Sequence, residues 1–419
     1  MIREMGVNFL EEIVKYDSIK QNIIDEMPKF YSEIELRKLG RLLGILDYDF
    51  VAKGSTKAEI CENLITIIYQ RELVERLIQI LNGDGSLKRN AILKIVNLGK
   101  DIVAPEKYME SNSDCKVILH ISDIHFSKKE DVNKWLLQLN VDLKSNLNTS
   151  IIDYLIISGD ITSIASDEEF EYALAFIQEL VKNFKLQREK VIIVPGNHDY
   201  NRDTTRAAMD TEKIINDKLY WDKFDSFQRF HANATGKCYS KCIEQQGIIN
   251  VYDADNLLVL GLNSSWAIDH INKYNASINM DALYEVAKKI LTGQYKDYLK
   301  IAVFHHPVAG PEQMNSEFME LLAQMGFKIC MHGHIHEAKD EYFNYDNKRI
   351  IRVIGAGTFG AITKEQVPGI PHQYNLIRWY SDYLEIHTRK KEKSDGGWKA
   401  DARWCDNENP KSYYTIELK

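Results

Sequence analysis

Val191-Ile192-Ile193-Val194-Pro195-Gly196-Asn197-His198-Asp199 is an apolar run that breaks into turn formers and then into three side chains able to bind a cation or move a proton. A short apolar run bounded by Pro-Gly reads as a buried strand, so the chemistry begins where the strand stops. The arrangement recurs on both sides. Val117–Ile121 leads into Ser122-Asp123-Ile124-His125, and Tyr154–Ile157 leads into Ser158-Gly159-Asp160. Further on, Ile301–Phe304 leads into His305-His306-Pro307, and Lys328–Met331 into His332-Gly333-His334-Ile335-His336. Asp123, Asp160 and Asn197 follow one another at intervals of 37 residues, the length of one strand–helix–strand unit.

Leu257–Leu260 and Ile350–Ile354 read as further buried strands, and residues 129–148, 167–184 and 281–292 as helices between strands. Strands alternating with helices predict an α/β architecture with helices on both faces. Such sheets place their sites at the carboxyl ends of strands, so groups far apart in sequence should converge there. The converging set is one Asn, several His and two Asp, without Cys. Imidazole and carboxylate suit zinc, iron, manganese, cobalt or nickel, and the absence of thiolate argues against a structural zinc site. The ligands are too many for one ion; two ions bridged by a carboxylate would use them all.

The ordered blocks D-x-H, G-D, G-N-H-D, H-x-P and G-H-x-H, all intact between residues 116 and 360, resemble the calcineurin-like metallophosphoesterase superfamily. The resemblance implies an α/β/β/α sandwich holding two divalent transition-metal ions, with manganese favoured. It implies that Asp123, His125 and His336 hold the first ion, that Asn197, His305 and His334 hold the second, and that Asp160 bridges them. His198 would face the substrate phosphate as a catalytic residue, with Asp199 orienting it. Two cations about 3.5–4 Å apart lower the pKa of a bridging water, whose hydroxide attacks phosphorus in line. His306, Arg202 and His270 are weaker candidates for substrate contact, and His332 reads as a strand-end packing residue. A narrower resemblance, to bacterial phosphoesterases of this superfamily, rests on Gly261-Leu262-Asn263-Ser264-Ser265, Gly355–Ala361, Tyr374-Asn375-Leu376-Ile377 and the tail Trp398–Trp404. The tail's aromatics are expected to close the sheet. The stretch 200–250 is expected to form a lid.

Residues 1–105 read as a separate all-α domain. Ser32-Glu33-Ile34-Glu35 and Thr56-Lys57-Ala58-Glu59 fit the capping box. Ile60, Leu64, Ile67 and Ile68 form a helical stripe after the second box, and Val74, Leu77, Ile78 and Leu81 another, stopped at Asn82-Gly83. A further amphipathic stretch covers Ser86–Leu98. Residues 100–115 read as a linker, and the catalytic domain as 116–419. Tyr31–Leu39, Leu46–Phe50, Ser55–Ala58 and Tyr69–Leu77 resemble the effector-associated, death-like adaptor domains of bacterial conflict systems. That resemblance implies a protein partner and an effector role.

At 419 residues, 44% hydrophobic and 27% charged, the chain excludes collagen-like, low-complexity and wholly disordered classes. A net charge of −8 excludes a global basic field for nucleic acid, though not a local groove. The six cysteines show no disulfide or zinc-ribbon spacing, no leader pattern opens the chain, and no apolar run is long enough to span a membrane. The expectation is a cytoplasmic phosphodiesterase, foremost a nuclease acting on DNA or RNA, with oligomerisation left open. A hydrolase of a cyclic or small nucleotide is the first alternative, and a catalytically idle scaffold the second.

Overall fold

A computed structural model describes residues 23–25, 27–29, 31–52, 54–70, 77, 115–209, 217–346, 349–360, 370–406 and 409–418. The chain divides into two units, Met1–Asn112 and Ser113–Lys419.

In the first unit, α1 (Glu33–Leu42), α2 (Asp47–Phe50) and α3 (Lys57–Gln70) surround a core of Leu36, Leu39, Phe50, Ile60, Leu64 and Ile68. Both capping boxes form. The Glu35 and Glu59 carboxylates accept from the Ser32 and Thr56 backbone N–H groups, and each hydroxyl accepts from the third residue on. The expected stretches beyond residue 70 and the linker lie outside the described residues, Leu77 and Cys115 apart.

The second unit is built on two sheets. The first contains β1 (Lys116–Ile121), β2 (Tyr154–Ile157), β3 (Val191–Ile193), β10 (His372–Trp379), β11 (Tyr383–Lys391), β12 (Lys399–Ala400) and β15 (Tyr413–Glu417). Its order is β12-β11-β10-β1-β2-β3, with β15 beside β11. β1, β2 and β3 are parallel, and β10 is antiparallel to β1. The second contains β4 (Gly247–Tyr252), β5 (Leu257–Leu262), β6 (Leu299–Val303), β7 (Ile329–His332), β8 (Lys339–Asp346) and β9 (Arg349–Gly355), in the order β4-β5-β6-β7-β9-β8. There β5, β6, β7 and β9 are parallel, with antiparallel edges. A small hairpin of β13 (Trp404–Asp406) and β14 (Asn409–Lys411) completes the strands.

The period of two along each strand sorts side chains between layers. Ile118, Tyr154, Ile156 and Ile192 face Val259, Ile301, Val303, Ile329 and Met331 between the sheets. Leu119, Ile121, Leu155, Ile157, Val191 and Ile193 face outward under α4 (Lys129–Val141) and α5 (Asp167–Asn183). On the other flank, Leu258, Leu260, Ala302 and Cys330 pack with Leu283, Val286, Phe318 and Leu322 of helices 280–290 and 318–324. The layering is α/β/β/α.

The expected helix 129–148 changes character at its end. Asp142–Asn146 winds as a wider π-type turn. Buried Asp142 accepts two bonds from Arg389, at 2.6 and 2.8 Å, and one from Tyr374 at 2.5 Å, so β10 and β11 draw it inward. Of the stretch expected to be a lid, α6 (Arg202–Ala207), α7 (Asp217–Tyr220) and α8 (Asp225–Thr235) are described, and 210–216 lie outside the described residues. Phe227, Phe230 and Ala234 of α8 are buried in the main core. Buried Lys223 donates to the carbonyls of Trp266 and Ile268 at 2.7 and 2.8 Å and to the Tyr220 hydroxyl at 3.1 Å. Trp398 of the aromatic tail stacks on Phe359 and meets the edge of Tyr374.

Candidate metal centre

The loops after β1, β2, β3, β6 and β7 meet at one end of the two sheets. Ligand atoms of Asp123, His125 and His336 lie within 4.8 Å of one another, as do those of Asp123, Asp160 and His305, of His125, Asp160 and His198, and of His305, His306 and His334. Asn197 joins them through Oδ1, 3.1 Å from His305 Nε2. All seven residues expected as ligands are thus assembled with His198 and His306.

The backbone is bent to achieve this. Asp123, His125, Asp160, His334 and His336 all adopt left-handed conformations, with φ between 50° and 69°. Such angles are uncommon outside glycine and cluster at functional sites. They let consecutive backbone groups turn into the ladder while the side chains point out: His125 N donates to Asp160 O, and Asp123 N to Gly159 O, both at 3.0 Å.

The donor set tests well against a cation. His305 Nδ1 faces the Ser158 carbonyl at 2.8 Å, so it carries a proton and the neutral ring's lone pair sits on Nε2. That nitrogen lies 3.2 Å from Asp160 Oδ2, 3.1 Å from Asn197 Oδ1 and 3.2 Å from His334 Nδ1. Around the first group, His336 Nε2 is 3.2 Å and His125 Nε2 4.0 Å from Asp123 Oδ1. Atoms of this kind, bearing lone pairs and turned on one another, fit divalent metal ions. The electrostatics agree. Burial pushes the Asp160 and Asp123 carboxyls up, yet the surrounding imidazoles hold both below the usual carboxylate range. Burial pushes His305 down, but Asp160 and Asp123 raise it to about 9. The site calls for positive charge.

Asp199 departs from expectation. Its buried carboxylate accepts from the N–H groups of Gly196, Ile161 and Thr162 and from the Thr162 hydroxyl, at 2.9–3.0 Å. Burial and nearby Asp160 push it up to about 6. It braces the loop after β2. The His198 ring is oriented instead by Ser163, whose carbonyl accepts from Nδ1 at 2.8 Å. His198 N donates to Asp160 Oδ1 at 2.8 Å.

Arg202 and His270 share a neighbouring patch rather than the ligand group. Arg202 opens α6 over the Tyr200 ring, and Thr205, one turn on, accepts from His270 Nδ1 at 3.0 Å while donating to the Arg202 carbonyl. His332 is buried and stacked on Phe304. Sequence reasoning missed Ser163, Ser158 and Glu312, whose Oε2 lies 3.1 Å from His334 Nε2. Two of these act through backbone carbonyls, which no side-chain pattern reveals. Glu312 sits in a loop with no motif of its own.

Residues 116–338 match the calcineurin-like phosphoesterase family, and the chain belongs to it. Bacillus subtilis (strain 168) has a relative described as the uncharacterized metallophosphoesterase-like protein YydB, 24% identical over 238 residues, covering 52% of this chain and 48% of that one. The match therefore spans about half the length of that relative. Among solved structures, Vacuolar Protein Sorting 29 of Cryptosporidium parvum aligns at a TM-score of 0.33 and 11% identity, over 73% of this chain and 98% of that one. The Thermus thermophilus protein TT1561 aligns at 0.34 and 14%, over 62% and 93%. No helix among the described residues is long and apolar enough to cross a membrane.

Proposed function

We propose that this phosphoesterase is a phosphodiesterase that cuts nucleic acid, DNA or RNA, as a manganese-dependent effector of a bacterial anti-phage system in the cytoplasm. In this reading a protein partner engages the N-terminal helical unit. The observation that carries the diesterase reading is the setting of His198. Its Nδ1 is committed to the Ser163 carbonyl, and its ring stands 4.9 Å from that of His125, beside Asp160. Nε2 is then the nitrogen available to a leaving oxygen, and an alkoxide leaving from a diester needs such a proton donor.

Asp123, His125, Asp160 and His336 would hold one divalent ion, and Asn197, His305 and His334, with Asp160 shared, the other. When bound, such ions neutralise phosphoryl oxygens and make a water nucleophilic at neutral pH. The chain's own contribution is placement. Asp160 fixes the His198 backbone, Ser163 fixes the ring, and a ring that carries its second proton would hand Nε2–H to the departing oxygen. Asp199 keeps the loop between these parts from shifting.

The net charge of −8 favours a second reading, a hydrolase of a cyclic or small nucleotide, which needs no extended basic track. Incubation with manganese and plasmid, RNA, oligonucleotides or cyclic nucleotides separates the two. Cleavage of polymeric nucleic acid, abolished in Asp160→Ala and His198→Ala, is the expected result. Turnover of small nucleotides alone supports the second reading, and no cleavage of any diester overturns both.

A further inference from the structure

His306 stands in the assembled group, yet the family blocks give it no role. The residue is only 3% exposed, with its ring 4.9 Å from the His305 ring and 4.5 Å from the His334 ring. The question is which of its nitrogens carries the proton. Ser264, in the loop after β5, answers it. Ser264 Oγ accepts from the backbone N–H groups of both His305 and His306, each at 3.2 Å. Those two bonds occupy the oxygen's lone pairs, so its own proton must go elsewhere. His306 Nδ1, 2.8 Å away, is the acceptor it meets. An imidazole that accepts at Nδ1 carries its hydrogen on Nε2. Nε2 has no hydrogen-bond partner among the described residues, and with Nδ1 committed it is the nitrogen left to face His305 and His334.

We propose that His306 is a substrate-binding residue, a fixed neutral N–H donor to a phosphoryl oxygen, and that Ser264 is the positioning residue that sets its tautomer. A nitrogen bearing hydrogen has no lone pair for a metal, so His306 adds specificity for phosphate without adding a ligand. The inference rests on the phosphoesterase reading and is independent of whether the diester is a polymer or a small nucleotide.

The test titrates manganese into metal-free wild type, His306→Ala and His306→Gln, then titrates inorganic phosphate into each manganese-loaded protein. Gln offers an N–H near the Nε2 position. The expected result is the same number of manganese ions per chain in all three, phosphate bound about 10- to 100-fold more weakly by the Ala variant, and most of that loss restored by Gln. Loss of one manganese ion per chain in the Ala variant would make His306 a ligand and overturn the proposal. Unchanged phosphate affinity with full metal content would overturn it too. Should the variants not fold, a long-range 1H–15N spectrum of the wild-type histidines decides: a neutral Nε2–H tautomer for His306 supports the assignment, and an Nδ1–H tautomer refutes it. Polymer cleavage enters none of these readouts, so failure here leaves the nuclease reading to its own test.

Discussion

The loops after β1, β2 and β3 carry both carboxylates of the ligand groups, with Asn197 and two imidazoles beside them, whereas the loops after β6 and β7 bring imidazoles and one exposed carboxylate, Glu312. Neither sheet could build the centre by itself. Buried carboxylates without countercharge would be protonated or expelled, and neutral imidazoles without carboxylates would bind a divalent ion weakly. The seam between the sheets is where the two chemistries are joined. His334 N donates to Asp123 Oδ2 at 2.9 Å, and His305 Nδ1 reaches the Ser158 carbonyl at 2.8 Å. Two glycines let the halves close. A Cβ on Gly159 would collide with the His305 ring, and one on Gly333 with Ser122 and the Asp123 carboxylate. The geometry of the ligand groups is thus a property of sheet stacking as much as of either loop set.

The comparison breaks most completely if the shared carboxylate is removed. Asp160 belongs to ligand groups with His305 and with His125 and His198. Asp160→Ala is expected to lower hydrolysis of a chromogenic phosphodiester by about a thousandfold or more, roughly 4 kcal/mol of transition-state stabilisation. Manganese titration should show the loss of tight sites. Retained activity would mean that the halves do not meet through this residue.

The seam itself is tested by Gly333→Ala. The added methyl has no free space against Ser122 and Asp123, and overpacking of this kind costs about 1–3 kcal/mol. A fall in thermal midpoint of several degrees, together with weaker manganese binding, is the expected outcome. A lower midpoint with unchanged metal affinity would show that the seam bears stability alone.

The acid response of the carboxylate-bearing half can be read at a residue outside the ligand groups. His231 lies under that sheet in α8, 3% exposed, against Phe227 and Tyr239. Burial, opposed by its bond to the Lys237 carbonyl, pushes its pKa down to about 4. The unfolded chain titrates near 6.5 and so binds more protons than the folded chain between pH 6.5 and 4. Its contribution is full above 6.5 and is lost as the pH falls toward 4. Denaturant unfolding of wild type should lose about 1.5 kcal/mol more than His231→Gln between pH 6.5 and 5. Equal pH slopes in the two proteins would place the acid sensitivity elsewhere.

What the sequence revealed follows from which residues do chemistry with their side chains at the ends of fully buried strands. β2, β3, β5 and β7 are buried along their whole length, and the Asp, Asn and His at or just past their ends stand out against that apolar background. β8 is illegible for the opposite reason: it is an edge strand with one face half in water, and Lys339-Asp340-Glu341-Tyr342 looks like a loop. β11 hides its burial behind Thr388, Arg389 and Lys391, each of which has a polar partner across the sheet or on α4 and the turn after it. Asp199 misleads because adjacency to His198 suggests contact, while its carboxylate is taken up by Gly196, Ile161 and Thr162 and the His198 ring by the Ser163 carbonyl. The bonds that orient His198 and His305 run to carbonyls, which every residue possesses.

The imidazole-bearing half has one carboxylate in reach, and it distinguishes that half from the other most finely. His334 Nδ1 turns toward His305 Nε2, and His334 Nε2 turns outward to Glu312 at 3.1 Å. An imidazole ligating through one nitrogen is made a better donor by a carboxylate on the other, and losing such a partner costs about 10–100-fold in metal affinity. Glu312 is 65% exposed, so solvent screens the contact and the lower end of that range applies. Glu312→Ala is therefore expected to weaken manganese binding by about tenfold, with the number of ions and the thermal midpoint of the metal-free protein unchanged. Glu312→Gln, which keeps an acceptor oxygen but no charge, should fall between. If Ala and wild type bind manganese alike, the imidazole half orients its ligands through Ser158 and Ser264 alone, and the carboxylates of the other sheet supply all the negative charge the ions receive.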